Sequence, residues 1–220
     1  MKHLFLRVLF GLLFAAPTSS DDLTITPIAH AAIHLADGKR AVLVDFPYDA
    51  GADSTAWDAA VLPPGPKALC VITHAHRDHF APELAERYCA AVAGPKDVVT
   101  GVALKSFAPG SVVHWEGVTV TPIATPHANI EHYSYLIDWR GARVFFNGDT
   151  NAPDVAISSR KLDAAFLTPS MLIAINKSGA AVDAGRIISY HHRPTDPVPN
   201  LLGRIASVPG QAIRVKLKEP

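Results

Sequence analysis

Short apolar runs bounded by turn residues recur along the 220-residue chain, and they set the expected order of elements. Residues 23–28 and 31–35 read as the strands of a hairpin, with Asp37-Gly38 supplying a turn. Ala41-Val42-Leu43-Val44-Asp45 and the run over 68–73 are mostly apolar, which predicts strands buried on both faces. Further strands are expected at 98–100, 112–114, 118–123, 133–139, 143–146, 164–167, 187–190 and 212–217. Helical spacing is rarer. Over 82–92, Pro82 suits a first turn, Leu84, Ala85, Tyr88, Cys89 and Val92 fall on one side, and Gly94 ends the pattern. A weaker helix is expected over 200–207. Residues 47–66 read as a loop around a short helix, and 171–182 as a second loop. Many strands with few intervening helices predict two packed sheets with helices outside them.

The first twenty residues have a different pattern. Lys2 and Arg7 precede the unbroken apolar stretch Val8-Leu9-Phe10-Gly11-Leu12-Leu13-Phe14-Ala15-Ala16, and Pro17-Thr18-Ser19-Ser20 follows. That order is the order of a secretory signal peptide. The stretch is too short for a membrane span, which needs about 20 apolar residues. Residues 1–20 are therefore expected to be removed ahead of Asp21, leaving 21–220 as one secreted or periplasmic domain; an uncleaved anchor is the alternative. No stable membrane insertion is expected after cleavage.

Composition narrows the classes further. Lys and Arg total 20 and so do Asp and Glu. A balanced charge gives no basic footprint for nucleic acid. Two cysteines cannot make a disulfide scaffold. Export would permit Cys70 and Cys89 to pair, but Cys70 lies in an apolar strand pattern and Cys89 on the predicted helix. Two separately buried thiols are expected. The chain also holds 11 histidines, and their positions carry the chemistry.

Directly after the strand ending at Thr73 comes His74-Ala75-His76-Arg77-Asp78-His79. Four side chains of metal-ligating type fall within six residues, on a loop that can fan them toward one point. Neutral imidazole and carboxylate suit zinc, and also iron or manganese. Three further candidates each follow an apolar strand: His127, Asp149 and His191. Strand ends converging at one edge would bring the seven together. Gly148, just before Asp149, would let the backbone pass close to the metals.

Thr73-His74-Ala75-His76-Arg77-Asp78-His79 and Gly148-Asp149-Thr150 resemble the signature motifs of the metallo-β-lactamase-fold hydrolases, and the order of His127, Asp149 and His191 is similar too. Ile28-Ala29-His30-Ala31-Ala32 and the short chain look like the small, lactonase-like branch. The resemblance implies a four-layer αββα sandwich with two divalent cations, zinc first, with manganese or iron(II) as alternatives. It implies that His74, His76 and His127 hold one cation, that Asp78, His79 and His191 hold the other, and that Asp149 bridges them. A hydroxide held between the cations would attack the substrate, and Asp78 and Asp149 would be the catalytic carboxylates.

Plainer roles compete at several positions. His132 is the competitor of His127, and His192 of His191. Asp45 ends a buried strand and could hydrogen-bond the ligand loop. His30 could lie near the groove or be structural. His114, Trp57, Trp115, Trp139 and Tyr48 are expected to be surface or packing residues. No cysteine accompanies Asp149 or His191, which does not resemble the lactamases with a Cys ligand. His76 stands where flavodiiron relatives usually have a carboxylate, and the chain has no room for the extra domains of nucleases. The expected function is a metal-dependent hydrolase of a small ester, lactone or phosphodiester. The alternative is a non-catalytic zinc-binding protein on the same fold.

Overall fold

A computed structural model describes residues 21–46, 62–192 and 196–218. The expected signal peptide lies outside the described residues, as do Tyr48, Trp57 and most of the 47–66 loop.

The first half of the chain gives β1 (Asp22–Pro27), β2 (Ile33–Ala36), β3 (Ala41–Val44), β4 (Ala68–Val71), α1 (Pro82–Tyr88), β5 (Cys89–Ala93) and α2 (Lys96–Thr100). The second half gives β6 (Val113–Trp115), β7 (Val118–Ala124), β8 (Tyr133–Trp139), β9 (Ala142–Phe146), α3 (Pro153–Ser158), β10 (Ala164–Leu167), α4 (Pro169–Ser178), β11 (Ile187–Ser189), β12 (Ile205–Ala206) and β13 (Ile213–Lys216). One sheet runs β13-β1-β2-β3-β4-β5 and the other β12-β11-β10-β9-β8-β7-β6. The last strand thus returns to the first sheet and pairs antiparallel with β1.

Alternation along the strands creates the layers. Val42 and Val44 of β3, Val71 of β4, Val144 and Phe146 of β9 and Phe166 of β10 point between the sheets into one core. Their neighbours Leu43, Cys70 and Val92 face outward, against Ala81, Ala85 and Val98 on the α1–α2 side. Phe145, Ala165 and Leu167 face outward on the other sheet, against Ala156, Met171, Leu172 and Ile175 of α3 and α4. Burial on both faces explains why these strands are apolar throughout. The result is the expected αββα arrangement of two mixed sheets.

The topology also fixes where the loops meet. β3 and β4 are parallel, as are β9, β10 and β11. β7 is antiparallel to β8, which is antiparallel to β9, so β7 runs with β9. The C-terminal ends of these strands therefore open at one edge of the sandwich. Cross-sheet hydrogen bonds close that edge: Tyr133 N donates to Thr73 O at 3.0 Å, and the Tyr135 hydroxyl to Ile72 O at 2.8 Å.

Several expectations fail locally. The 82–92 helix stops at Tyr88, because Cys89–Ala93 pair with β4 as a buried strand. That exchange places Cys89 beside Cys70, and the two form a disulfide with a Cα–Cα distance of 5.6 Å, not two separate thiols. The 98–100 strand is part of α2, which starts after Pro95. The 200–207 segment contains no helix; its Ile205 and Ala206 pair with β11. The 171–182 loop is largely α4, capped by the Thr168 hydroxyl, started by Pro169 and ended by Gly179 at φ 70°.

Candidate metal centre

The seven candidate ligands come together at the open edge in two groups, His74-His76-His127 and Asp78-His79-Asp149-His191, each with its ligand atoms within 4.8 Å of one another. In the first group His74 Nε2 lies 3.0 Å from His76 Nδ1, and His127 Nε2 lies 3.4 Å from the same His76 atom. In the second, His79 Nε2 and His191 Nε2 stand 2.8 Å apart, with Asp78 Oδ2 3.4 Å from His191 Nε2 and 3.7 Å from His79 Nε2. Asp149 lies between the groups. Its Oδ2 is 3.9 Å from both His74 Nε2 and His127 Nε2, and its Oδ1 is 3.4 Å from His79 Nε2 and 3.3 Å from His191 Nε2.

Each side chain is aimed by a specific support. β3 ends at Asp45, which is fully buried and takes the left-handed φ of 51°. Its Oδ1 accepts from Thr73 N at 2.7 Å and its Oδ2 from the Thr73 hydroxyl at 2.8 Å. The same Oδ2 lies 2.8 Å from His79 Nδ1. Because Thr73 spends its proton on Asp45, its oxygen is left to accept from His74 Nδ1, 3.0 Å away. Both rings thus carry a proton on Nδ1 and turn Nε2 into the site. This is the outer role expected of Asp45.

Asp149 is aimed through its backbone. Gly148 takes φ 62°, and a Cβ there would overlap His132 Nε2. That nitrogen accepts from Asp149 N at 2.9 Å, and the Tyr190 hydroxyl accepts from Gly148 N at 2.9 Å. His132 Nδ1 is 2.8 Å from the Thr125 hydroxyl, so its proton sits there. His132, the competitor of His127 by position along the chain, is therefore a buried support of Asp149. Sequence reasoning misses Tyr190, which occupies an apolar strand end where no local pattern marks its hydroxyl. His191 sits at φ 56°, donates its N–H to His30 O at 3.1 Å, and packs its ring 4.1 Å from the His30 ring. His114 is exposed on β6, while Trp139 is buried and donates to Asp37 Oδ2 at 3.2 Å.

The electrostatics favour positive charge at the centre. Burial, with help from the His79 ring, pushes His74 down to about 2 and keeps it neutral. Burial likewise pushes His132 down to about 3 and His30 to about 4. Burial works against a charged His79 too, but Asp45 and Asp149 outweigh it and hold His79 up to about 10. Burial would raise Asp149; His79, His191 and His74 overcome it and hold the carboxyl far below the usual range. Asp78 is held low in the same way, by His191 and His79.

These residues fit divalent cations. Asp149 Oδ1 is buried with no hydrogen-bond partner among the described residues, and imidazole nitrogens face one another across both groups. Facing lone pairs repel unless a proton or a cation lies between them. The donor set of five imidazoles and two carboxylates suits zinc and does not exclude manganese or iron(II).

No family model and no curated protein matches the chain. Solved structures do match its fold. The metallo-β-lactamase fold protein YhfI from Bacillus subtilis is 15% identical, with a TM-score of 0.67, covering 89% of this chain and 100% of that one. A metal-dependent hydrolase from Parabacteroides distasonis is 17% identical, with a TM-score of 0.66, covering 86% and 93%. Igni18, a metallo hydrolase from Ignicoccus hospitalis, is 15% identical, with a TM-score of 0.65, covering 90% and 100%. At these identities the likeness shows the fold, and the chain has the metallo-β-lactamase fold.

Proposed function

We propose that the chain is a secreted or periplasmic hydrolase that uses two divalent cations, zinc first, to cleave a small ester, lactone or phosphodiester. The observation that carries this reading is the position of Asp149, whose two oxygens face two separate donor groups. A structural zinc site is usually closed by four ligands of its own, whereas here seven side chains serve two groups and share Asp149, a count that leaves positions between the groups for water. His74, His76 and His127 would hold one cation, and Asp78, His79 and His191 the other. Bound there, the cations supply Lewis acidity and a water acidified from about 15.7 toward 7.

The chain's own residues perform the remaining work. Asp45 and Thr73 hold a proton on the outer nitrogens of His79 and His74, so that the inner nitrogens serve as donors. Asp78 and Asp149 would offset the charge of two neighbouring cations, and Asp78, partly exposed at the mouth, can orient a water. A cavity lined by Pro126, His127, Asp149 and Asn151 opens over the first group, and another lined by Asp149, Ser170 and His191 over the second. The reacting bond would lie across them. The disulfide supports export to an oxidising compartment. Among the described residues no helix is long and apolar enough to cross a membrane.

Elemental analysis of the mature protein, purified without a chelating tag, tests the reading together with turnover of p-nitrophenyl acetate and bis-p-nitrophenyl phosphate. About two metals per chain and metal-dependent turnover are expected. A fully loaded protein that turns over neither ester class would favour the zinc-binding alternative. Failure to bind zinc, manganese or iron would overturn both.

A further inference from the structure

A third cavity, of about 280 Å³, lies beside the second donor group and is lined by Ala29, His30, His192, Ser207, Val208 and Pro209, with Ala206. One wall belongs to the loop after β1 and the other to β12 and the turn after it. The walls are tied together: Gly210 N donates to Pro27 O at 2.8 Å, and Ser207 N to Ser189 O at 2.8 Å. His30 joins the cavity to the centre, since its ring packs on His191, whose Nε2 lies 3.3 Å from Asp149. The His30 Nδ1 atom is buried and has no hydrogen-bond partner among the described residues. The rest of the lining is mostly apolar, and among the described residues it contains no Lys, Arg, Asp or Glu.

We propose that this cavity is the specificity pocket of the centre, taking a short uncharged acyl or alkyl arm of an ester or lactone, with His30 forming the wall nearest His191. The inference rests on the hydrolase reading and narrows its substrate class. An anionic arm, such as the second ester group of a nucleotide-like phosphodiester, would find no cation among the described lining residues. The volume falls at the small end of ligand pockets, so a few methylenes fill it. Each buried methylene should raise kcat/KM about fourfold, from about 0.8 kcal/mol of transfer free energy. Beyond the filled pocket the gain should stop. His30 is both a wall of the pocket and a support of His191, so Val208, half exposed on the far wall, is the cleaner site to change.

The test uses zinc-loaded mature protein and p-nitrophenyl esters from acetate to octanoate. A stepwise rise in kcat/KM followed by a plateau is expected. Val208→Trp should shorten the preferred chain and collapse the hexanoate-to-acetate ratio at least tenfold, while Val112→Trp, outside every cavity described, should leave the ratio unchanged. Independently of turnover, NMR titration with pentanamide should shift the Val208 methyl and His30 ring signals, and His30→Phe should weaken that binding. Esters cleaved without chain-length preference, or a ratio insensitive to Val208→Trp, would overturn the pocket and leave the hydrolase standing. Pentanamide binding at Val208 with no turnover of these esters or of bis-p-nitrophenyl phosphate would keep the pocket and sink the hydrolase reading. Neither binding nor turnover would end both.

Discussion

The two donor groups differ in charge and in what stands behind them. The first is three imidazoles, with the neutral Thr73 hydroxyl behind His74. The second contains a carboxylate of its own, rests on fully buried Asp45, and has His191 fixed by the His30 backbone. A cation in the second group meets oriented negative charge, whereas one in the first depends on Asp149 for all of its anionic ligation. The second group should therefore fill first and empty last. Charge and preorganisation by outer hydrogen bonds, not the number of ligands, separate the two.

The largest break in that comparison should come from Asp149→Ala, which removes the one ligand both groups share. Metal content should fall from about two toward zero and turnover to background, read by elemental analysis and ester assay. Next comes the covalent support common to both groups. Replacing Cys70 and Cys89 with Ala should cost about 3 kcal/mol in urea unfolding of the metal-free protein, and should weaken both groups together. Single-group changes should then separate them. Asp45→Asn should weaken the second cation about 10- to 100-fold and the first by less, through Thr73 and His74, whereas His127→Ala should weaken mainly the first; stepwise competition with a chromophoric chelator reads both.

The smallest effect serves as a control away from both groups. His34, on β2, is buried and burial pushes it down to about 4. The unfolded chain then binds the extra proton between its ordinary 6.5 and about 4. Stability is thus full above 6.5 and is lost as pH falls through that window. His34 should contribute about 1 kcal/mol of the loss between pH 7 and 5.5, and that share should disappear in His34→Leu while the shares of His30, His74 and His132 remain. Persistence of the whole slope in that variant would assign the acid sensitivity elsewhere.

The layers and the positions of the seven grouped side chains were legible in sequence because they rest on local signals. Two-sided burial makes β3, β4, β9 and β10 continuous apolar runs, and a ligand loop after a strand is a dense cluster. The supports were less legible because they act across the fold. Asp45 could be suggested from its strand end, but Tyr190 meets Gly148 only through the pairing of distant strands. The boundary of α1 failed for a related reason. Cys89-Ala90-Ala91-Val92-Ala93, with three alanines, leans locally to helix, and pairing with its tertiary partner β4 overrides that preference. That boundary also decided the disulfide.

The disulfide has a consequence for the unfolded chain. It joins positions 19 residues apart, and His74, His76, Asp78 and His79 all lie on the ring it closes. Even with the sheets lost, the ring holds these four donors at high effective concentration. An oxidised unfolded chain should therefore compete with the folded one for zinc, and such binding reduces the stability that the metal lends to the native state. Zinc should raise the unfolding midpoint of the oxidised protein by less than its native affinity predicts. For the same reason, the ring would let a newly oxidised chain collect metal before the second sheet delivers His127, Asp149 and His191.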